Sequence, residues 1–131
     1  MSINRRRVVV SSVMCAMLSF ASSVRAHHSF DAEYDSKKPF TITGFVTKVD
    51  WVNPHAFVFV DVKEGSSVKN YRIEMGPPYA LVRGGWKRDT LKIGDKVTVV
   101  NAAAAKDGRD AGGSMPTTAM VLADGQKLTM R

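Results

Sequence analysis

Three histidines are the residues of this chain with the clearest potential for metal chemistry. His27 and His28 are adjacent, and His55 ends the segment Trp51-Val52-Asn53-Pro54-His55. If the chain is cut after Ala26, His27 becomes the first residue and offers two nitrogens, its α-amine and its imidazole. Amine and imidazole nitrogens suit Cu(II), which prefers a tetragonal set of nitrogen and oxygen donors. The pattern predicts a copper site formed by His27 and His55, with His28 as the substitute for His55.

The same residues also have simpler interpretations that involve no metal. Adjacent histidines behind a processing site can belong to an ordinary solvated chain terminus. His55 can be a turn residue whose ring bonds a backbone carbonyl. The nearby acidic stretch 31–35 offers hard-metal ligands, although short acidic stretches near a terminus are usually only solvated.

The cut after Ala26 is expected because the N-terminal segment has the pattern of an export signal. Three arginines at 5–7 precede an apolar run over residues 8–20, and Val24-Arg25-Ala26 supplies acceptable residues at the cleavage position. The apolar run is too short to span a bilayer. We therefore expect a periplasmic or secreted protein, without a membrane span once the signal peptide is removed.

The details of processing stay open at this point. A cut after Ser23 would place the histidines inside the mature chain instead of at its start. The paired arginines admit the twin-arginine route as well as the general secretory route. With the cut after Ala26, residues 1–26 are the signal peptide and residues 27–131 form one small domain.

Removal of the signal peptide changes the composition on which function classes are judged. The chain has 19 Lys and Arg, and four of them (Arg5, Arg6, Arg7 and Arg25) precede the cut, which leaves 15 against 12 Asp and Glu, a net charge of +3. This modest charge argues against nucleic acid as a partner. The single cysteine, Cys15, also precedes the cut, so the mature chain has neither a disulfide nor a thiolate metal ligand.

The mature chain is predicted to be all-β. Short runs of β-branched and aromatic residues are separated by Gly, Pro, Asn and Asp, which is typical of strands joined by turns. Five strands are predicted, with one short helix between the third and the fourth: strands 41–49, 56–62, 68–75, 96–100 and 119–123, and helix 77–82. The third strand is expected to be half buried, with one apolar face (Tyr71, Ile73 and Met75) and one polar face (Asn70, Arg72 and Glu74). This order is that of a small OB-like five-stranded barrel. A small β-sandwich has similar strand spacing and remains the alternative.

Two connections of the predicted barrel would flank its binding face. The connection between strands one and two contains His55. The connection between strands four and five is expected to be a long loop over residues 101–116, rich in Ala and Gly and containing Met115, and loops of this length are usually functional or mobile. Trp51 and Trp86 are expected to be core residues, as are the methionines in or beside strands: Met75, Met120 and Met130.

Several motifs together resemble one known family. They are Ala26-His27-His28-Ser29-Phe30, Glu33-Tyr34-Asp35, Trp51-Val52-Asn53-Pro54-His55, Gly94-Asp95-Lys96-Val97 and Leu122-Ala123-Asp124-Gly125. The chain resembles the small exported bacterial proteins catalogued as domain of unknown function 6152. The resemblance implies a periplasmic or secreted single-domain protein and assigns no activity, so no residue role is carried over. Residues 102–105, all alanine, depart from the proline and arginine expected there.

Three function classes follow from these residues. The first is an exported copper-binding protein. The second is a metal-free periplasmic module that binds a peptide, a glycan or a protein partner, with residues 77–79 and 86–88 as candidate contacts. The third is an enzyme, which is less favoured because the sequence has no Ser-His-acid set, no paired-carboxylate cleft and no phosphate loop.

Overall fold

A computed structural model describes residues 29–131 of the chain. His27, His28, the expected cleavage site and the rest of the predicted signal peptide lie outside the described residues. Residues 29–33 are helical. The compact unit Glu33–Arg131 contains all the strands discussed below.

The described part of the chain is mostly β-sheet. It contains six strands and, after the third of them, the short helix α1: β1 (Tyr34–Asp50), β2 (Phe57–Glu64), β3 (Ser67–Glu74), α1 (Pro78–Arg83), β4 (Lys96–Ala105), β5 (Ala111–Val121) and β6 (Lys127–Thr129). The prediction of an all-β domain with one short helix between the third and fourth strands is therefore confirmed. β6 was not predicted, since its three residues are too few to show a period.

The strands form one sheet in the order β3-β2-β1-β4-β5-β6, and β3 also pairs with β5. The β3–β5 pairing is parallel, whereas the other pairings are antiparallel. Each of β1 to β5 consequently has a hydrogen-bonded neighbour on both sides. This arrangement fixes which strand ends lie together, and it brings the end of β3 beside the start of β5.

Alternation along the strands builds the core. In β2, Val58, Val60 and Val62 are buried, while the residues between them are partly exposed. In β3, Ile73 is buried whereas its neighbours Arg72 and Glu74 lie on the opposite face and are partly exposed. A period of two is what a sheet with one covered face requires. The polar face predicted for β3 is thus confirmed.

The core also takes in the tryptophans and methionines expected there. Trp86 is 2% exposed, and its Nε1 donates a 2.6 Å hydrogen bond to the backbone oxygen of Thr129, which ties the segment after α1 to β6. Trp51 is partly buried and packs against the core cluster. Met75, Met120 and Met130 are at most 2% exposed. Their apolar side chains pack in the domain interior, as predicted.

The prediction of a long loop over residues 101–116 is wrong. β4 continues to Ala105 and β5 begins at Ala111, so only a short turn at 106–110 separates the two strands. Met115 lies within β5 and is partly buried, not exposed. The Ala and Gly composition suggested a loop, but pairing with β1 on one side and β3 on the other gives these backbone groups partners within the sheet.

Gly44 lies at a close approach of two strands. A Cβ atom at this position would lie 2.0 Å from the backbone oxygen of Asp61 on β2. Any other residue would force β1 and β2 apart, so the sequence needs glycine here. None of the helices among residues 29–131 is long and apolar enough to cross a membrane.

Candidate metal site

His55 lies in the connection between β1 and β2, as the sequence predicted. The next residue, Ala56, is fully buried and is held by two backbone hydrogen bonds: its oxygen accepts from Met75 N at 2.8 Å, and its nitrogen donates to Gly76 O at 3.2 Å. These bonds extend the β2–β3 pairing past the end of the regular strands. They fix the backbone directly after His55, so the imidazole is presented from a rigid position.

The imidazole of His55 is paired with the carboxylate of Glu74. Nδ1 of His55 and Oε1 of Glu74 form a hydrogen bond. The side chain of Glu74 is only 18% exposed, whereas that of His55 is 45% exposed. If the carboxylate is ionised, it accepts the Nδ1 proton of a neutral imidazole, and Nε2 then carries the free lone pair. Nε2 makes no hydrogen bond to another of the residues 29–131.

The second oxygen of Glu74 is bound by Tyr34. Tyr34 is only 2% exposed, and its hydroxyl donates a 2.9 Å hydrogen bond to Oε2 of Glu74. The carboxylate is therefore held from both sides, by Tyr34 at one oxygen and by His55 at the other. This three-residue chain, Tyr34-Glu74-His55, is called the His55 relay below.

The environment of the relay affects Tyr34 most. Burial raises the pKa of the Tyr34 hydroxyl well above its ordinary value, and the charge of Glu74 and the hydrogen bond to it raise this pKa further. The positive charge of Arg72 acts in the opposite direction. At neutral pH the hydroxyl is consequently a proton donor, and it keeps Glu74 in position.

The backbone of Glu74 is also anchored. Ser114, which is 4% exposed, donates a 2.6 Å hydrogen bond from its hydroxyl to the backbone oxygen of Glu74. A charged donor, Arg131, binds the backbone oxygen of Ser114 at 3.1 Å. Because β5 lies beside β3, Ser114 connects the relay to the neighbouring strand. Glu74 therefore has a fixed backbone as well as a fixed carboxylate.

Arg72 lies on the same polar face of β3 as Glu74, two residues away. Its guanidinium carbon is 3.9 Å from the centroid of the Phe57 ring. Phe57 is the residue of β2 directly opposite Glu74 in the strand pairing. The arginine side chain thus reaches diagonally across β2 toward the end of the sheet where His55 lies.

The start of the compact unit is attached close to this site. Arg109, in the turn between β4 and β5, binds the carboxylate of Glu33 at 2.9 Å. The backbone nitrogen of Lys106 donates to the oxygen of Glu33 at 2.9 Å. Tyr34, the first residue of β1, is linked to His55 by two hydrogen bonds, one from Tyr34 to Glu74 and one between Glu74 and His55.

The structure does not bring a complete metal site together within residues 29–131. No group of three or more His, Cys, Asp or Glu side chains among these residues could hold a metal ion. His27 and His28 lie outside the described residues, so the predicted set of His27, His28 and His55 stays a prediction. In the acidic stretch, Glu33 pairs with Arg109, and Asp35 lies 3.8 Å from the ammonium group of Lys38.

Glu74 and Tyr34 were not predicted as site residues from the sequence. A signal for Glu74 existed, because it lies on the predicted polar face of β3. A signal for Tyr34 existed in the motif Glu33-Tyr34-Asp35. Neither signal names a partner, since Tyr34, His55 and Glu74 are far apart in the chain and meet only through strand pairing.

Comparison with known proteins gives one finding. No curated protein and no solved structure matches the chain. Residues 15–114 match a family of unknown function, DUF6152. The matched range includes all three histidines and both other members of the His55 relay. With most of its length matched, the chain belongs to the DUF6152 family, as its motifs indicated.

Proposed function

We propose that the mature protein is an exported copper-binding protein in which His55 and an N-terminal His27 hold one copper ion. The observation that supports this proposal most directly is the hydrogen bond between His55 Nδ1 and Glu74. Histidines that bind metals almost always donate their other ring N–H to a carboxylate, a carbonyl or a water. Glu74 would fix the tautomer and orientation of His55 so that Nε2 points a lone pair at the metal.

The position of Tyr34 supports the participation of His27. Five residues lie between His27 and Glu33, so the expected mature chain starts only a short segment before the domain. Tyr34, which follows Glu33, reaches His55 through a single intervening side chain, Glu74. The short segment between His27 and Tyr34 is the support for His27 as the partner of His55 in this proposal. His28 is the substitute ligand for His55 in this proposal.

Export and processing are part of the proposal. Residues 1–26 would be removed as a signal peptide, which places the mature protein in the periplasm or outside the cell. Cleavage after Ala26 is what creates the free amine on His27. A metal can displace the proton of this group near neutral pH, because the ordinary pKa of an α-amine is about 8.

We further propose that β1 to β5 form an OB-like five-stranded barrel. The support is the pairing pattern: β1 pairs with β2 and β4, and β3 pairs with β5 in parallel, with α1 between β3 and β4. In that architecture the β1–β2 and β4–β5 connections flank the ligand face. They contain His55 and Arg109 respectively, so both would belong to the same side of the barrel.

A metal-free binding module is the second candidate function. Tyr79 and Val82 on α1 are 66% and 56% exposed, which is a large exposure for apolar side chains on neighbouring turns. With the adjacent prolines, they would offer a contact surface for a peptide, a glycan or a protein partner in the periplasm. This function would not require any of the three histidines.

The decisive experiment compares mature proteins with different N-termini. Protein starting at His27, the same protein with its α-amine acetylated, and His55→Ala protein are titrated with Cu(II) by calorimetry and electron paramagnetic resonance. We expect one nitrogen-rich Cu(II) site in the first protein and at least tenfold weaker binding in the other two, because each change removes a chelating nitrogen. Equal affinity in all three proteins would refute the proposed site.

Two controls make the result specific. His28→Ala should change the affinity less than His55→Ala does, and the reverse order would show that His28 is the real third ligand. Mass spectrometry of the protein recovered after export should give a chain beginning at His27. A chain beginning at Val24 would remove the amine ligand and with it the copper proposal.

A further inference from the structure

The guanidinium of Arg72 has the surroundings of a preorganised anion-binding group. It stacks on the Phe57 ring at 3.9 Å, and the residue is partly buried. A guanidinium in contact with a ring loses less freedom on binding a ligand than an unrestrained side chain does. A guanidinium can donate two parallel hydrogen bonds to one ligand group.

Glu74, the carboxylate closest in sequence on the same face, forms no ion pair with Arg72. Both oxygens of Glu74 are used elsewhere, one by His55 and one by Tyr34. No ion pair or hydrogen bond joins the Arg72 side chain to any other residue in the range 29–131 that the structure describes. A partly buried cation without an anionic partner favours an anion supplied from solution.

Other cations of the domain show the contrast. Lys48 also lies over an aromatic ring, that of Phe59 at 5.1 Å, but its ammonium group is 2.9 Å from the carboxylate of Asp50. Arg109 is paired with Glu33 and lies 3.5 Å from Asp107. These two side chains carry their own counter-charge, whereas Arg72 does not.

We propose that Arg72, which lies over the Phe57 ring beside the His55 relay, is the binding group for an oxyanion ligand. The ligand class is a small molecule with two oxygens on one carbon or phosphorus, that is, a carboxylate or a phosphate. Both present a pair of oxygens that matches the guanidinium fork. The site uses neither the copper ion nor the N-terminal histidines, so it stands independently of the function proposed above.

The test uses metal-free mature protein and two probes, acetate and inorganic phosphate, added against chloride at constant ionic strength. Nuclear magnetic resonance follows the Nε–H signal of Arg72 and the ring signals of His55 and Phe57. We expect saturable shifts of these signals with at least one probe. The probe that binds more tightly identifies the ligand as a carboxylate or a phosphate.

Two matched variants distinguish binding by the paired N–H donors of the guanidinium from binding by positive charge alone. Arg72→Lys keeps the positive charge but loses the planar pair of donors, and it should weaken binding at least tenfold. Arg83→Lys is the control, because Arg83 also lies near an aromatic ring, that of Tyr79 at 5.9 Å, and it should bind as the parent does. Unchanged binding in Arg72→Lys, or no saturable shift with either probe, would overturn the proposal.

Discussion

Replacing Tyr34 with phenylalanine tests whether the His55 relay is a real structural unit. The change keeps the buried ring and removes only the hydroxyl that donates to Glu74 at 2.9 Å. A hydrogen bond to a charged group contributes about 1.5 to 3 kcal/mol. Since Glu74 keeps His55 as a partner and is 18% exposed to water, we expect the lower end, a loss of about 1.5 kcal/mol in the free energy of unfolding.

The pH dependence of this loss gives a second, independent signature. Because folding raises the pKa of Tyr34 above its ordinary value of about 10, the stabilisation is complete below pH 10 and declines as the pH rises above that value. At pH 11, one unit above the ordinary pKa of tyrosine, ionisation of this residue stabilises the unfolded chain by about 1.4 kcal/mol, provided that the folded protein keeps it protonated. The advantage of the parent over Tyr34→Phe should therefore almost vanish near pH 11.

Urea denaturation of both proteins between pH 7 and pH 11 measures the difference directly. Tyr79→Phe is the matched control, because Tyr79 is 66% exposed and its replacement should alter the free energy of unfolding by less than about 0.5 kcal/mol. Equal stability of Tyr34→Phe and the parent at pH 7 would show that the hydroxyl of Tyr34 does not stabilise the fold. A stability difference that stays constant up to pH 11 would show that folding does not raise the pKa of Tyr34.

Three further changes test other parts of the structure. Glu74→Gln should weaken Cu(II) binding by about 10- to 100-fold, because it removes the carboxylate that orients a ligand histidine. In the same calorimetric titration, the control Glu64→Gln should bind Cu(II) as the parent does. Equal affinities of Glu74→Gln and the parent would show that Glu74 is not part of the site. Trp86→Phe should lower the free energy of unfolding, measured in urea, by about 2 kcal/mol, because it leaves a gap in the core and removes the hydrogen bond from Nε1 to Thr129 O. A loss below about 0.5 kcal/mol would contradict the packing and hydrogen-bonding role of Trp86. Gly44→Ala should cost about 3 kcal/mol or prevent folding, since its Cβ would lie 2.0 Å from Asp61 O, and circular dichroism melting showing the parental midpoint would contradict the close approach of β1 and β2.

The sequence was sufficient to predict most of the strands. Alternation in residues 68–75 separated the buried Ile73 from the polar Arg72 and Glu74, and it did so because the side-chain period of a strand is local. The helix after β3 was also predictable from its prolines and the glycines that follow it. Compositional reasoning failed at residues 101–116, where small residues suggested a loop although the strands continue.

For the candidate site, the sequence could predict some residues, whereas others required the tertiary structure. The three histidines, the ligand chemistry that they offer and the position of His55 between the first two strands could all be read from the sequence. Only the tertiary structure placed Tyr34 and Glu74 with His55, because pairing between β2 and β3 and the entry of β1 set those distances. A strand pattern depends only on neighbouring residues. The contact between Tyr34 and Glu74, which are 40 positions apart, depends on strand register, and register is set by the pairing of the strands in the sheet.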